Sequence, residues 1–305
     1  MHPDELRLHL AGVAAVAITP FDEDLRIDET GLRAVVEYLD QGGTDTLVVC
    51  GGTGEFYALT PEERATVARV AVSHAERAPV IVSVGLDAAG AAEAARHAEG
   101  EGAAGIMIHQ PVHPYTHAEG LKRYYEQICS AVSFGVVAYV RDPQVDLDLL
   151  SHIVSLDNVV AVKYAVNDVR RFASIVKSTP GGDTVEWVCG TAEAWAPFFW
   201  LAGATGFTSG LANFAIEEAL SMKTALATGD ASTIRAAWSR IAPVEDLRSR
   251  WGDANNIAVL KAGTHRLGLT TQAIRPPLRP LPAAEDAELG LILDGWASMS
   301  HSASL

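Results

Sequence analysis

Cysteine is scarce in this chain. Its three cysteines (Cys50, Cys129 and Cys189) cannot all pair and lie in no CxxC spacing, which points to a reducing, cytoplasmic setting. Positive charge is short as well, with 23 Lys and Arg against 38 Asp and Glu and a formal net charge of −15. A nucleic-acid or anionic-membrane partner would need a clustered basic face, so neither is expected. A small acidic substrate is still compatible, because a few cations and helix N-termini can reverse the field inside one cleft. The N-terminal apolar run ending at Pro20 is too short to span a bilayer, and Asp4 and Glu5 stand where a signal peptide is basic. No GxGxxG follows the first apolar run, and no lysine completes a Walker A motif in "GGTGEF".

What the chain does have is a regular alternation. Apolar runs rich in Val and Ile occupy 13–20, 46–52, 80–85, 105–111, 135–140, 159–165, 185–190 and 205–210. Short unbroken runs of this kind suit parallel strands buried on both faces. Between them lie segments of helical period with start signals. Thr60, Pro61 and Glu63, for example, read as an N-cap, an N1 proline and a capping-box glutamate. Eight such units predict an α/β fold, a (β/α)8 TIM barrel, over residues 1–228. Residues 229–305 read as a C-terminal helical appendage, interrupted by "RPPLRPLP" and packed on the barrel or on a neighbouring subunit.

Active sites of such barrels lie at the C-terminal ends of the strands. In "VVAVKYA", alternation puts Ala161, Lys163 and Ala165 on one face. If that face points inward, Lys163 is a buried amine between small neighbours. Such an amine is driven neutral, able to attack a carbonyl and form a Schiff base. If it points outward, Lys163 snorkels to solvent. One strand earlier, Tyr139 and Arg141 share a face. A phenol there can move protons and an arginine can grip a carboxylate, or the two are a core tyrosine and a surface cation. In "GGTGEF", Gly52, Thr53 and Gly54 let backbone N–H groups approach an anion, a carboxylate rather than a triphosphate, unless the turn is only a tight connection. His109, His113 and His117 fall four apart, but Pro111 and Pro114 break any helix that would converge them on a metal, so no metal site is expected. His113 alone can still reach substrate from its loop.

Taken together, these residues resemble the dihydrodipicolinate synthase and N-acetylneuraminate lyase family of Schiff-base (β/α)8 enzymes. The resemblance runs from "AITPF" (17–21) to "RPPL" (275–278), through "GGTGEFYALTPEE", Tyr139, Lys163 and "GATGFTSGLAN". Within the family it is strongest to 5-dehydro-4-deoxyglucarate dehydratases, which read GGTGEF where synthases read GTTGE. The resemblance implies a lyase with Lys163 as the Schiff-base lysine and Tyr139 as the proton-transfer residue. Thr53 and nearby amides would hold the α-carboxylate, and Arg141 and Ser209 would face the distal part of a small keto-deoxy sugar acid. It implies no cofactor beyond the imine, and a homo-oligomer, tetramer or dimer. Gly52 replaces a threonine of the synthase pattern, Val112 and His113 replace its fourth-loop aromatic, Val140 replaces an asparagine of the dehydratase pattern, and Tyr164 stands where the family often has an acidic residue. The competing outcomes are a 2-keto-3-deoxy acid aldolase releasing pyruvate, a synthase-like condensation, and a non-catalytic keto-acid binder.

Overall fold

Runs of Val and Ile without polar alternation must be covered on both faces. In the computed structural model, which describes residues 1–302 with side chains through Ala297, that cover is a closed barrel. Its strands are β1 (Val13–Val16), β2 (Thr46–Val49), β3 (Val80–Val84), β4 (Gly105–His109), β5 (Gly135–Val140), β6 (Val159–Tyr164), β7 (Glu186–Cys189) and β8 (Gly206–Ser209). They pair in parallel in chain order, and β1 closes on β8. Several strands stop short of the predicted runs. The 46–52 run ends at Val49 because Cys50 turns at φ 55°, and the 105–111 run ends before Pro111, which has no N–H for the ladder.

The connecting helices are α2 (Glu29–Gln41), α3 (Pro61–His74), α4 (Ala88–Glu101), α5 (Ala118–Cys129), α6 (Leu147–Val154), α7 (Val169–Ser178), α8 (Ala196–Leu201) and α9 (Ala212–Thr228). Outward side chains such as Ile106, Ile108, Val136 and Val162 pack with these helices in one core cluster. Inward side chains, among them Ala14, Val48, Ile81, Met107, Val137 and Val188, fill the barrel as a second cluster. The helix α1 (Pro3–Leu10), not anticipated from sequence, closes the N-terminal end. Its Leu6 belongs to the inner cluster, and a Cβ at Gly105 or Gly135 would stand 2.5 or 2.8 Å from Leu6 Cδ2. Glycine at both positions makes room for that plug.

After Gly229 come α10 (Ala231–Asp253), α11 (Asn256–Arg266) and α12 (Ala283–Ser302). The helices α10 and α11 lie on this chain's own barrel, Trp238 Nε1 donating to Ala194 O at 2.9 Å and Lys261 Nζ pairing with Glu55 at 2.5 Å, and α12 packs against α10, where Arg250 pairs with Glu288. The helical path of α10 breaks at Arg250–Gly252, where Trp251 takes φ 58°. No described helix is long and apolar enough to cross a membrane.

Candidate active site

Parallel register sets the site. His109 pairs with Tyr139 across β4–β5, and Tyr139 pairs with Lys163 across β5–β6. All three are buried in one row at the C-terminal end of the barrel. Glycines flank the row where side chains would collide. A Cβ at Gly85 would sit 2.9 Å from His109 Cβ, and one at Gly190 would sit 3.0 Å from Lys163 Cγ.

Lys163 is 5% exposed and its Nζ lies 4.2 Å from the centre of the Tyr139 ring. Burial, reinforced by the positive charge of Arg141, pushes its amine down to about 7. The π face of Tyr139 favours the ammonium, but desolvation outweighs it. A sizeable fraction of Lys163 is therefore a nucleophilic free amine at neutral pH, where an ordinary lysine is almost wholly protonated. Burial likewise pushes the Tyr139 phenol upward, so the phenol holds its proton and can donate it.

A cleft of about 860 Å³ opens over this row. Gly52, Thr53, Tyr139, Arg141 and Lys163 line it together. Arg141 is exposed, with its guanidinium carbon 5.9 Å from the Tyr139 ring centre. In the turn after β2, the N–H groups of Gly54, Glu55 and Phe56 close the turn onto the carbonyls of Gly51 and Gly52. Among the described residues those of Gly52 and Thr53 make no such backbone bond, and both residues line the cleft. Space for an anion is present, since a Cβ at Gly52 would meet nothing within 4 Å. The helix after the turn, α3, is not the donor. Its N-terminus is already capped by Thr60 and Glu63, and a short 3-10 turn at Phe56–Ala58 separates it from the glycines.

Three residues expected at the site lie outside the cleft lining. Ser209 is turned the other way by strand alternation. Its hydroxyl bonds Glu193 and accepts from Ala212 N at 2.9 Å, so it caps the start of α9, and the β8 residue facing the cleft is Thr208. Gly54 faces the end of β1, where its carbonyl accepts from Thr19 Oγ1 at 2.7 Å. His113 is exposed on the loop after β4, held outward between Pro111 and Pro114, with Nδ1 accepting from Tyr115 N at 3.1 Å. His117 caps α5 with its Nδ1 and His109 is inside the barrel, so the three histidines do not converge.

Other residues reach the site without a sequence signal. The C-terminal helices supply one wall, with Glu245, Arg248 and Asn256. Arg248 is buried, pairing with Glu245 at 2.5 Å and donating to Asn256 Oδ1 at 2.7 Å. Behind it, burial and the nearby Glu245 push the Glu193 carboxyl well above the usual carboxylate range. The turn from α10 into α11 brings Asn256 to the cleft. Thr208 was recoverable, since alternation from Gly206 selects it.

Comparison with known proteins bears on the family and the fold. Residues 9–295 match the dihydrodipicolinate synthetase family. A protein of Rhizobium rhizogenes named "Probable 5-dehydro-4-deoxyglucarate dehydratase" is 32% identical, over 96% of this chain and 98% of its own. Solved structures of dihydrodipicolinate synthase from Bacillus clausii and Oceanobacillus iheyensis superpose with TM-scores of 0.92 and 0.93. They are 37% and 36% identical, covering 96% and 97% of this chain and 99% of each of theirs.

Proposed function

The chain belongs to the dihydrodipicolinate synthetase family, and on that premise we propose that it is a Schiff-base lyase acting on a small acidic 2-oxo sugar acid. The observation that carries this reading is the Lys163 amine, lowered to about 7 and placed against Tyr139 at the floor of an open cleft. The free amine attacks the 2-oxo carbon and Tyr139 supplies the proton with which the carbinolamine oxygen leaves as water. The amides of Gly52 and Thr53 receive the adjacent carboxylate.

The iminium is then the electron sink. Numbered from the oxo-acid end of the substrate, C3 becomes acidic and loses a proton to give the enamine, which expels the C4 hydroxyl; that hydroxyl takes up a proton and leaves as water. The conjugated iminium next accepts the electron pair of the C5–carboxylate bond, releasing carbon dioxide. The dienamine so formed takes up a proton on carbon, its C5 enol becomes the aldehyde, and hydrolysis of the iminium frees Lys163. On 5-dehydro-4-deoxyglucarate this sequence gives 2,5-dioxopentanoate, carbon dioxide and water. In this reading Arg141, which lines the cleft with Tyr139, holds the distal carboxylate. The names of relatives at about one-third identity support this substrate. No metal or organic cofactor is needed, because the imine supplies the electron sink, so EDTA should leave activity unchanged.

A second reading keeps the imine and breaks or forms a C–C bond instead, as a pyruvate-releasing aldolase or a condensing synthase. It is favoured by the 36–37% identity to the two synthase structures, above that of the dehydratase-named relative. Product identification separates the two. Carbon dioxide and a dioxo acid from 5-dehydro-4-deoxyglucarate support dehydration, and stoichiometric pyruvate from a six-carbon keto-deoxy acid refutes it. Borohydride with pyruvate should fix mass at Lys163, which a non-catalytic binder would not show.

A further inference from the structure

The wall that the C-terminal helices supply has no part in the chemistry above. Its centre is Arg248, a guanidinium only 5% exposed. Gly210, directly after β8, makes room for it, since a Cβ there would stand 2.5 Å from Arg248 Nη2. From that seat Arg248 donates to Glu245 Oε1 through Nη1 at 2.5 Å. It also donates to Asn256 Oδ1, through Nε at 3.2 Å and Nη2 at 2.7 Å. Glu245 is buried and Asn256 half-buried, and both line the cleft together with Lys163.

Each partner thus commits one atom to the arginine and keeps another. Among the described residues, Glu245 Oε2 and Asn256 Nδ2 make no hydrogen bond. A carboxylate oxygen only accepts and an amide nitrogen only donates. Hydroxyls answer both, because each can donate and accept, whereas a carboxylate on the ligand could only accept. Charge points the same way. Asp246 and Asp253 of α10 also line the cleft, so the carboxylates of this wall outnumber its guanidinium and a further anion would meet net negative charge. Place matters as well. In barrel order β8 lies two strands beyond β6, roughly 10 Å along the wall. With C2 fixed on Lys163, the later carbons of a longer chain are the ones that reach Glu245 and Asn256.

Resting on the Schiff-base reading of Lys163, we propose that Glu245 and Asn256, held by Arg248, read hydroxyls beyond C3 of the substrate and select a polyhydroxylated 2-oxo acid over a plain one. A vicinal diol fits the pair: one hydroxyl donates to Glu245 Oε2 and its neighbour accepts from Asn256 Nδ2. A methylene chain in the same place desolvates both atoms and leaves them unpaired, which weakens binding. Arg248 does not touch substrate. It is a positioning residue that fixes which atom of each partner is left over, with the buried Glu193 carboxylate 3.9 Å from its Nη1 on the other side.

The test compares two six-carbon 2-oxo acids with uncharged far ends. One is 2-keto-3-deoxygluconate, hydroxylated at C4, C5 and C6, and the other is 2-oxohexanoate, which has no hydroxyl. For each, the half-saturating concentration for borohydride trapping of Lys163 is measured after a short mixing time. The variants Glu245→Gln and Asn256→Asp each keep an oxygen for Arg248 and reverse the polarity of the remaining atom. In each, the ratio of the half-saturating concentration of the hydroxylated acid to that of the plain acid should rise about tenfold over wild type. A ratio that stays at the wild-type value in a folded variant, whether neither concentration moves or both rise together, overturns the proposal and leaves the wall a structural one. If Glu245→Gln does not fold, Asn256→Asp decides alone, since it gives Arg248 a counter-charge instead of removing one. Absence of trapped Lys163 with pyruvate in the wild type overturns the Schiff-base reading and this proposal with it, whereas trapping with pyruvate and an unmoved ratio overturns this proposal only.

Discussion

Replacing Lys163 by methionine should stabilise the protein, and the gain should depend on pH in a defined way. Methionine keeps a flexible apolar stem and removes the amine. In the folded chain Lys163 is 5% exposed, and its amine falls from 10.5 to about 7. Below pH 7 both folded and unfolded states are protonated, and folding carries the whole cost of burying the cation. The shift sets a ceiling of about 5 kcal/mol on that cost. Between pH 7 and 10.5 the unfolded chain binds more protons at this site than the folded one, so wild-type stability rises with pH. Above that window both states are neutral and the electrostatic cost is gone. The advantage of Lys163→Met should therefore be flat below pH 7 and shrink as pH rises through the window. Urea unfolding of both proteins at about pH 6 and about pH 9 measures it, since other groups contribute equally to each. A variant less stable than wild type at the lower pH, or a margin equal at both, would refute the claim that folding depresses this amine. The same variant should show no borohydride trapping.

Three further outcomes are expected. Arg141→Gln removes a cation that lowers Lys163, so the midpoint of the pH profile for imine trapping should move up, whereas Arg141→Lys should leave it in place; an unmoved midpoint in Arg141→Gln would assign the shift to burial alone. Tyr139→Phe should keep substrate affinity and slow turnover by about 10²–10⁴-fold, and a loss below about tenfold would reduce the phenol to packing. Glu55→Gln strands Lys261, which is 1% exposed, without its counter-charge, so urea unfolding should register a loss of about 3–5 kcal/mol; an unchanged midpoint would mean that the pair is not needed for the fold.

The barrel was legible because its signals are local. Unbroken Val and Ile runs need no partner to be recognised, and the Thr60–Glu63 capping box forms as read, with Thr60 N donating to Glu63 at 2.9 Å and Glu63 N to Thr60 Oγ1 at 3.2 Å. Lys163 and Tyr139 were legible for the same reason, since strand alternation places them once the fold is known. The helix α1 was not, because its meaning depends on Gly105 and Gly135, about a hundred residues away. Ser209 was assigned from resemblance, although alternation within β8 already favours Thr208. His109 was visible only as one member of a histidine spacing, and its neighbours Tyr57 and Tyr139 come from two other strand ends. Arg248 and Asn256 meet across the break at Arg250–Gly252, where Trp251 adopts a left-handed conformation that no local pattern announces.

The glutamate of "GGTGEF" shows how a residue next to the chemistry can serve the site without facing it. Glu55 takes φ 59°, a conformation that costs a non-glycine residue free energy, so something must hold it. Its carboxylate pairs with Lys261 at 2.5 Å and accepts from Arg275 N at 3.2 Å. Arg275 in turn donates to Leu25 O, to Ala58 O and bidentately to Glu63. Both cations lie over the Phe21 ring, with Lys261 Nζ at 4.1 Å and Arg275 Cζ at 4.2 Å from its centre. The glycine turn is thus pinned from behind by α11 and the segment after it, with Gly52 and Thr53 lining the cleft on its other side. Arg248 and Asn256 then wall the cleft from the same C-terminal region. The repeat of strands and helices ends near residue 228, but the support of the site does not. A change in α11 can reach the carboxylate pocket through Glu55 without touching the barrel's strands.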